Sequence, residues 1–145
     1  MNGWTSSWLF WALLSAAFAG LTAILAKIGV ADIPSDLATL IRTIAIVFVL
    51  AGLVALTHQY RPLTSIAPST YLSLALSALA TGASWLCYFR ALKLGQAARV
   101  APIDKLSIVL VAVLGAIFLG ERLSFANWMG ILLISCGALL VAYRG

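Results

Sequence analysis

Residues 91–124 read ALKLGQAARVAPIDKLSIVLVAVLGAIFLGERLS, and this stretch decides how the rest of the chain is interpreted. Pro102 opens its apolar run, and a Gly-Glu-Arg turn at 120–122 closes it. Inside the run stands Asp104, the one acidic residue that lies well within an apolar segment, and Lys105 follows it directly. The stretch therefore predicts an apolar helix with a charged point near its start.

The composition of the whole chain predicts lipid as its solvent. Of the 145 residues, 63% are hydrophobic and 9% are charged, whereas soluble domains carry about 25% charged residues. Spanning a bilayer takes about 20 apolar residues. Uncharged stretches of that length predict five helices, over about 8–29, 37–57, 70–92, 98–119 and 124–143. The predicted fold class is therefore an all-α membrane protein, with five transmembrane helices in a single domain, 1–145.

The same composition excludes several classes of function. The net charge of +5 comes from dispersed basic residues without a Lys/Arg cluster, so we expect no nucleic-acid partner. Cys87 and Cys136 lie in apolar runs, where we expect them to be small buried hydrophobes. With one histidine, no metal-binding spacing and no serine–histidine constellation, we expect neither an enzyme nor a bound metal or cofactor.

Most basic residues fall on one membrane face. If five helices alternate in direction, seven of the nine cations share the face of the C-terminus. If all nine cations are counted, this excess predicts that the C-terminal face lies in the cytoplasm. Four of the seven lie inside the predicted spans, and without them the loops carry three cations against two, which is too even to decide the orientation. The three are Lys93, Arg99 and Arg144, and the two on the other face are Arg61 and Arg122.

Five ionisable side chains lie inside the spans at a similar depth on the C-terminal face: Lys27, Arg42, Arg90, Asp104 and Lys105. Such a group costs about 2.5–3.5 kcal/mol at the centre of a span and less near its ends, so we expect it to face other helices or water. One interpretation is a polar mouth with excess positive charge. The alternative is structural: the cations reach the headgroups, and Asp104 forms a salt bridge with Lys27, Arg42 or Arg90.

Two further features have two interpretations each. The third helix carries a polar stripe that includes Trp85 and Tyr88. This stripe either lines a cavity, with the two aromatic residues contacting a substrate, or forms hydrogen bonds between helices, with Trp85 and Tyr88 as a pair at the membrane interface. Pro102 either lies in the first turn of the fourth helix, where its missing N–H costs little, or breaks that helix and frees backbone groups near a site.

Five short motifs follow one another along the chain: Ala26-Lys27-Ile28-Gly29-Val30, Leu40-Ile41-Arg42, Ala91-Leu92-Lys93-Leu94-Gly95, Val100-Ala101-Pro102 and Leu119-Gly120-Glu121-Arg122-Leu123. In this order and spacing they resemble the EamA domain of the drug/metabolite transporter superfamily. The resemblance implies a five-helix domain, of which typical family transporters carry two in tandem, in opposite membrane orientations, around a substrate path. It implies for this chain a half-transporter in the bacterial inner membrane that dimerises, in either a parallel or an antiparallel arrangement.

We therefore predict a homodimeric exporter of small polar metabolites, amino acids or drugs. The predicted substrate-binding residues are Lys27, Arg42, Trp85, Tyr88, Asp104 and Lys105. In this prediction the cations meet an anionic group such as a carboxylate, the aromatic residues pack the body of the substrate, and the carboxylate of Asp104 meets an amine or orients Lys105. The alternative hypothesis is a non-transporting membrane subunit that scaffolds or regulates a partner protein.

Two other residues are predicted to be structural or gating residues. Pro102 is one, because of its place near the start of the fourth helix. Glu121 is the other, and we expect it to hold the turn between the last two helices through Arg122 or a backbone N–H. Relatives of the small multidrug-resistance type exchange protons at a carboxylate in the first helix. This chain has no acid there, so Asp104 is the candidate proton carrier if transport is coupled to protons.

Overall fold

The structure is a computed structural model that describes residues 7–59, 62 and 65–143. Within these residues the secondary structure is helical, and no strand occurs. The helices are α1 (Trp8–Gly29), α2 (Ser35–Thr57), α3 (Pro68–Leu94), α4 (Ala97–Asp104), α5 (Ser107–Phe118) and α6 (Phe125–Ala142). Arg61 and Arg144, two of the cations counted for orientation, lie outside the described residues.

In the part of the chain that the structure describes, five segments are long and apolar enough to cross a membrane. Four of them are single helices, α1, α2, α3 and α6, and the fifth runs through α4 and α5, from Ala97 to Phe118. Only helices and closed barrels satisfy their backbone polar groups inside lipid, so an all-helical chain fits this solvent. The predicted all-α class and the five predicted spans are confirmed.

The segment from Ala97 to Phe118 is interrupted near its middle. The N–H groups of Lys105 and Leu106 bond to carbonyls three residues back, with N–O distances of 3.1 and 3.0 Å, which is the pattern of a 3₁₀ turn. Pro102 lies inside α4, not in its first turn, and it has no N–H to offer the preceding turn. Of the two interpretations of Pro102, the structure agrees with the second: the span predicted over 98–119 is not one continuous helix, and its interruption falls shortly after Pro102.

The described residues fall into two compact units. The 26–93 unit runs from Ala26 to Lys93, and the terminal unit lies within Met1–Leu25 and Leu94–Gly145. In the terminal unit, α6 packs against α4 and α5. In the 26–93 unit, the fully buried side chains are those of Val30 and Leu92, at the α1–α2 corner and in the last turn of α3.

The two cysteines are more exposed than the sequence predicted. Cys87 and Cys136 are exposed on the chain. A small apolar side chain has no reason to avoid a surface that faces lipid, because lipid tails are as apolar as a protein core. The prediction that both cysteines are buried was therefore wrong, since it applied the solvent logic of a soluble protein.

Glu121 folds back over the end of α5. Its N–H donates to the carbonyl of Gly115 at 3.2 Å, and Gly120 before it has a φ of 68°, a left-handed conformation that glycine adopts without a steric penalty. The carboxylate of Glu121 lies against the same glycine: a Cβ added at Gly115 would be 2.8 Å from Glu121 Oε2. Backbone and side chain of Glu121 thus both contact the last turns of α5.

Candidate functional site

Two lysines join the α1–α2 corner to the end of α3. Lys27 Nζ donates to the carbonyl oxygen of Leu92 at 2.5 Å, and Lys93 Nζ donates to the carbonyl oxygen of Ile33 at 2.7 Å. The last carbonyls of a helix have no partner within the helix, and a nearby cation satisfies them and complements the helix dipole. The ammonium of Lys27 is therefore engaged at least in part by the backbone of α3.

Arg90 adds a bidentate ion pair with Asp36 to this junction. Its Nη2 lies 2.9 Å from Asp36 Oδ2, and its Nε lies 3.3 Å from Asp36 Oδ1. The side chains are 64% and 54% exposed. From the sequence, Arg90 was one possible salt-bridge partner of Asp104. In the structure, Arg90 pairs with Asp36 instead. We call Lys27, Ile33, Asp36, Arg90 and Lys93 the corner cluster.

Arg42, on α2, is held by aromatic rings instead of by oxygen atoms. Its guanidinium carbon lies 4.2 Å from the centroid of the Trp85 ring and 5.6 Å from that of Phe89. Trp85 and Phe89 are four residues apart on α3, so their side chains share one face of that helix. A cation over the face of an aromatic ring is attracted by the ring quadrupole. Neither ring carries an oxygen that could accept an N–H from the guanidinium.

The N–H donors of Arg42 meet no hydrogen-bond or ion-pair acceptor among the described residues. The cations of the corner cluster and Lys105 each meet a carbonyl or carboxylate oxygen. Arg99 resembles Arg42 in this respect, but it lies in the first turn of α4, at the end of its span. Arg42 is half-buried and lies about 10 Å along the axis from the start of α2, at 1.5 Å per residue.

Asp104 and Lys105 form an ion pair of a different kind in the terminal unit. Lys105 Nζ lies 3.2 Å from Asp104 Oδ2. The two residues are neighbours in the sequence, so their ion pair joins no separate elements. Asp104 ends α4, and Lys105 lies in the 3₁₀ turn before α5. The interruption of the span therefore carries a positive and a negative charge side by side.

The predicted site residues divide between the two units. The 26–93 unit holds Arg42, Trp85 and Tyr88, and it also holds Lys27, which bonds to Leu92. The ring of Tyr88 lies edge-on to that of Phe89, with centroids 6.5 Å apart. The terminal unit holds the other residues: Pro102, Asp104, Lys105 and Glu121. A single polar mouth that contains both sets stays a prediction.

Sequence reasoning missed two residues of this region. Phe89 was counted among the apolar residues of the third span, although it follows Trp85 by one helical turn, which places it beside Trp85. Asp36 was not among the predicted site residues. Its partner Arg90 is 54 residues away, and no local pattern in the sequence indicates that pairing.

The chain was compared with protein families, known proteins and solved structures. The model of the EamA-like transporter family matches residues 6–143. Over 138 residues the chain is 64% identical to the "Uncharacterized transporter in cobO 3'region" of a Sinorhizobium species, covering 95% of this chain and 98% of that protein. It is 28% identical over 110 residues to the protein RarD of Salmonella typhi and of Salmonella typhimurium, covering 74% of this chain and 37% of RarD. No solved structure matches the chain.

The family match covers nearly the whole chain, and it confirms the resemblance that the sequence motifs indicated. The five apolar spans agree with it, because a transporter has to cross the bilayer. The chain belongs to the EamA-like transporter family and is a multi-pass membrane transporter of bacterial type.

Proposed function

We propose that this transporter exports small polar metabolites, amino acids or drugs, and that Arg42 binds an anionic group of the substrate. The observation that carries the proposal is the half-buried guanidinium of Arg42, which lies inside a span without an oxygen acceptor among the described residues. Ionisable residues within spans are expensive, and those that are kept usually mark a substrate or ion pathway. An oxygen atom of the substrate would supply the acceptor that the described residues do not.

The remaining predicted residues have roles that follow from their surroundings. Tyr88, next to Phe89 on α3, is proposed to contact the body of the substrate. Lys27 adds positive charge in the same unit while it bonds to the end of α3. In the terminal unit, we assign gating to the interruption after Pro102, where the exposed pair of Asp104 and Lys105 is free to exchange partners during transport.

Two copies of the chain are proposed to form the working transporter. The Sinorhizobium transporter, which this chain covers over 98% of its length, is itself about as long as one five-helix domain. RarD is much longer, since 110 aligned residues make up 37% of it. These lengths support a transporter in which a second copy supplies what a second domain supplies in longer relatives. The near-even charge of the loops is compatible with antiparallel insertion.

Efflux from proteoliposomes tests the proposal. Purified protein is reconstituted with a mixture of radiolabelled amino acids inside, and their release is compared for wild type, Arg42→Gln and Arg122→Gln. We expect Arg42→Gln to slow release by about tenfold or more, because a hydrogen bond to a charged group contributes about 1.5–3 kcal/mol. Arg122, exposed in the turn before α6, is the matched control and should transport like wild type.

Companion variants test the gating roles in the same assay. We expect Asp104→Asn and Lys105→Ala to slow release by a smaller factor, because their pair is exposed. If folded Arg42→Gln, Asp104→Asn and Lys105→Ala proteins all released label at the rate of wild type, the proposed site would be wrong. Export itself is measured separately, as faster loss of labelled amino acid from preloaded cells that express the protein.

A further inference from the structure

The rings of Trp85 and Phe89 restrict the positions that the Arg42 guanidinium can adopt. The guanidinium carbon lies over the Trp85 ring at 4.2 Å and within 5.6 Å of the Phe89 centroid. The two rings come from consecutive turns of α3, while Arg42 comes from α2. The guanidinium is therefore confined by two groups on another helix, and this contact restricts the positions that a long, flexible side chain would otherwise sample.

Phe89 is the fixed part of this arrangement. It is 3% exposed, the most buried aromatic residue among those described. Its ring also meets the edge of the Tyr88 ring at an interplanar angle of 64°. A side chain in such a packed position keeps one rotamer, because the interior leaves no room for others. Phe89 thus provides a rigid surface, and Trp85, which is half-buried, provides the closer one.

The chemistry of the guanidinium makes this confinement relevant to specificity. Its N–H donors lie in one plane in a fixed fork, which matches the two oxygens of a carboxylate, whereas an ammonium acts as a compact point charge. The aromatic contacts engage the cation by its charge and leave the N–H groups without acceptors in the described chain. Positioning of the fork therefore favours an anion with two oxygens at the right spacing.

We propose that Trp85 and Phe89 are positioning residues that hold the Arg42 guanidinium so that the site selects carboxylates over spherical anions of equal charge. The proposal rests on the proposed function, in that the anion is a group of the transported substrate. It changes the role predicted for Trp85: its ring supports Arg42 and does not pack the substrate body. It also adds Phe89, a residue that never touches the substrate.

The fluorescence of Trp85 gives a direct test that requires no transported substrate. In a full-length protein with the substitutions Trp4→Phe, Trp8→Phe, Trp11→Phe and Trp128→Phe, Trp85 is the remaining tryptophan. This protein, in a non-ionic detergent without anionic lipid, is titrated with sodium butyrate and, at matched ionic strength, with sodium chloride. We expect a saturable change in Trp85 emission with butyrate and none with chloride.

Three variants in the same background separate positioning from packing. Arg42→Lys keeps the charge without the fork, so butyrate and chloride should become equal in effect. Phe89→Leu keeps apolar bulk without the ring face, and we expect butyrate to bind about fivefold more weakly, from the usual strength of a cation–π contact. Leu92→Val, one turn from Phe89 and fully buried, is the packing control: it should lower stability without changing the preference for butyrate.

Each contrary outcome overturns a stated part of the inference. No saturable response to butyrate would eliminate the carboxylate site, and unchanged binding by Phe89→Leu would eliminate the positioning role. If vesicles of phosphatidylglycerol changed the emission and butyrate did not, Arg42 would be a lipid anchor and the inference would be wrong. The transport assay distinguishes the two proposals. Butyrate binding without any efflux would contradict the proposed function alone. Arg42-dependent efflux without butyrate binding would contradict this inference alone.

Discussion

The described residues contain two ion pairs, which differ in what they join. Arg90 and Asp36 are 54 residues apart and join α3 to α2 with two hydrogen bonds. Asp104 and Lys105 are adjacent, and their single contact of 3.2 Å joins no elements. Val30 and Leu92, the fully buried side chains among the described residues, belong to the same compact unit as the first pair, whereas the second pair lies where a span is interrupted.

The first pair joins two helices and so contributes to the fold, whereas the second pair joins none. In the corner cluster, each cation is bonded to a partner far away in the sequence, so its loss disturbs the packing of helices. At the interruption, the contact between Asp104 and Lys105 joins no separate helices, so we expect loss of either charge to disturb helix packing less. Arg42 is a third case, in which a cation lies against two rings and its N–H donors meet no acceptor among the described residues. We therefore expect corner substitutions to affect stability first, and substitutions at the interruption to affect transport first.

The largest expected effect lies at the corner. Leu92 is 0% exposed, and Leu94, two residues on in the same helix, is 89% exposed. We expect Leu92→Ala to lower the free energy of unfolding by about 2–5 kcal/mol, because it removes buried atoms and leaves a cavity. Leu94→Ala is the matched control and should have little effect. Unfolding is followed by circular dichroism in detergent as sodium dodecyl sulfate is added.

Leu106→Ala extends this comparison to the interruption. Leu106 is half-buried, so less packing is lost there, and the decrease in stability should be clearly smaller than for Leu92→Ala. A Leu106→Ala protein as unstable as Leu92→Ala would show that the interruption is as much a structural core as the corner is, and the proposed division of roles would fail.

A smaller effect is expected at Pro102. Pro102→Ala supplies an N–H that can bond within α4, and one such hydrogen bond contributes about 1 kcal/mol net. We expect a small gain in stability, slower hydrogen exchange of the amides around 103–108, and slower transport, because the interruption becomes stiffer. Mass-spectrometric hydrogen exchange and the efflux assay measure these changes.

Pro68 provides the matched control for Pro102. It is the first residue of α3, where a missing N–H leaves no intrahelical bond unmade. Pro68→Ala should therefore change neither hydrogen exchange nor efflux. If Pro102→Ala stiffened the span and transport kept its rate, the interruption would have no gating role.

The elements that the sequence predicted well are those that depend on local composition. Span length follows from the number of consecutive apolar residues, so the five predicted spans agree with the structure to within two residues at every end. The turn at Gly120 was also readable, because a glycine after an apolar run is typical of a left-handed helix end. The interruption was one of two interpretations of Pro102, and the sequence did not decide between them, since the outcome depends on which backbone carbonyls each N–H reaches.

The partners of the charged residues were harder to predict, for a physical reason. Arg42, Arg90 and Lys27 were placed at a similar depth from helix lengths, and depth says nothing about the direction in which a side chain leaves its helix. The ion pair of Arg90 with Asp36 depends on which faces of α2 and α3 meet. The same holds for Arg42: its neighbour Trp85 was assigned to the substrate and its neighbour Phe89 was missed, because nothing in the sequence shows that α2 lies against them.

The smallest expected effect is a coupling free energy, and it tests the comparison of the two ion pairs directly. Double-mutant cycles are measured for Arg90→Gln with Asp36→Asn, and for Lys105→Gln with Asp104→Asn, by the unfolding assay used for Leu92. The cycle removes the contributions that Asp36 makes alone, such as its favourable place in the first turn of α2 and its contact with Ser35 Oγ at 3.2 Å.

We expect a small coupling for Arg90 and Asp36 that shrinks in molar salt, because the pair is exposed and salt screens it. We expect none within error for Asp104 and Lys105, since adjacent residues keep their contact in the unfolded chain and unfolding then leaves the pair unchanged. Equal coupling in both pairs would mean that the contact of Asp104 with Lys105 also holds the fold together. Its charges would then not be free to exchange partners, and the gating role assigned to them would have to be given up.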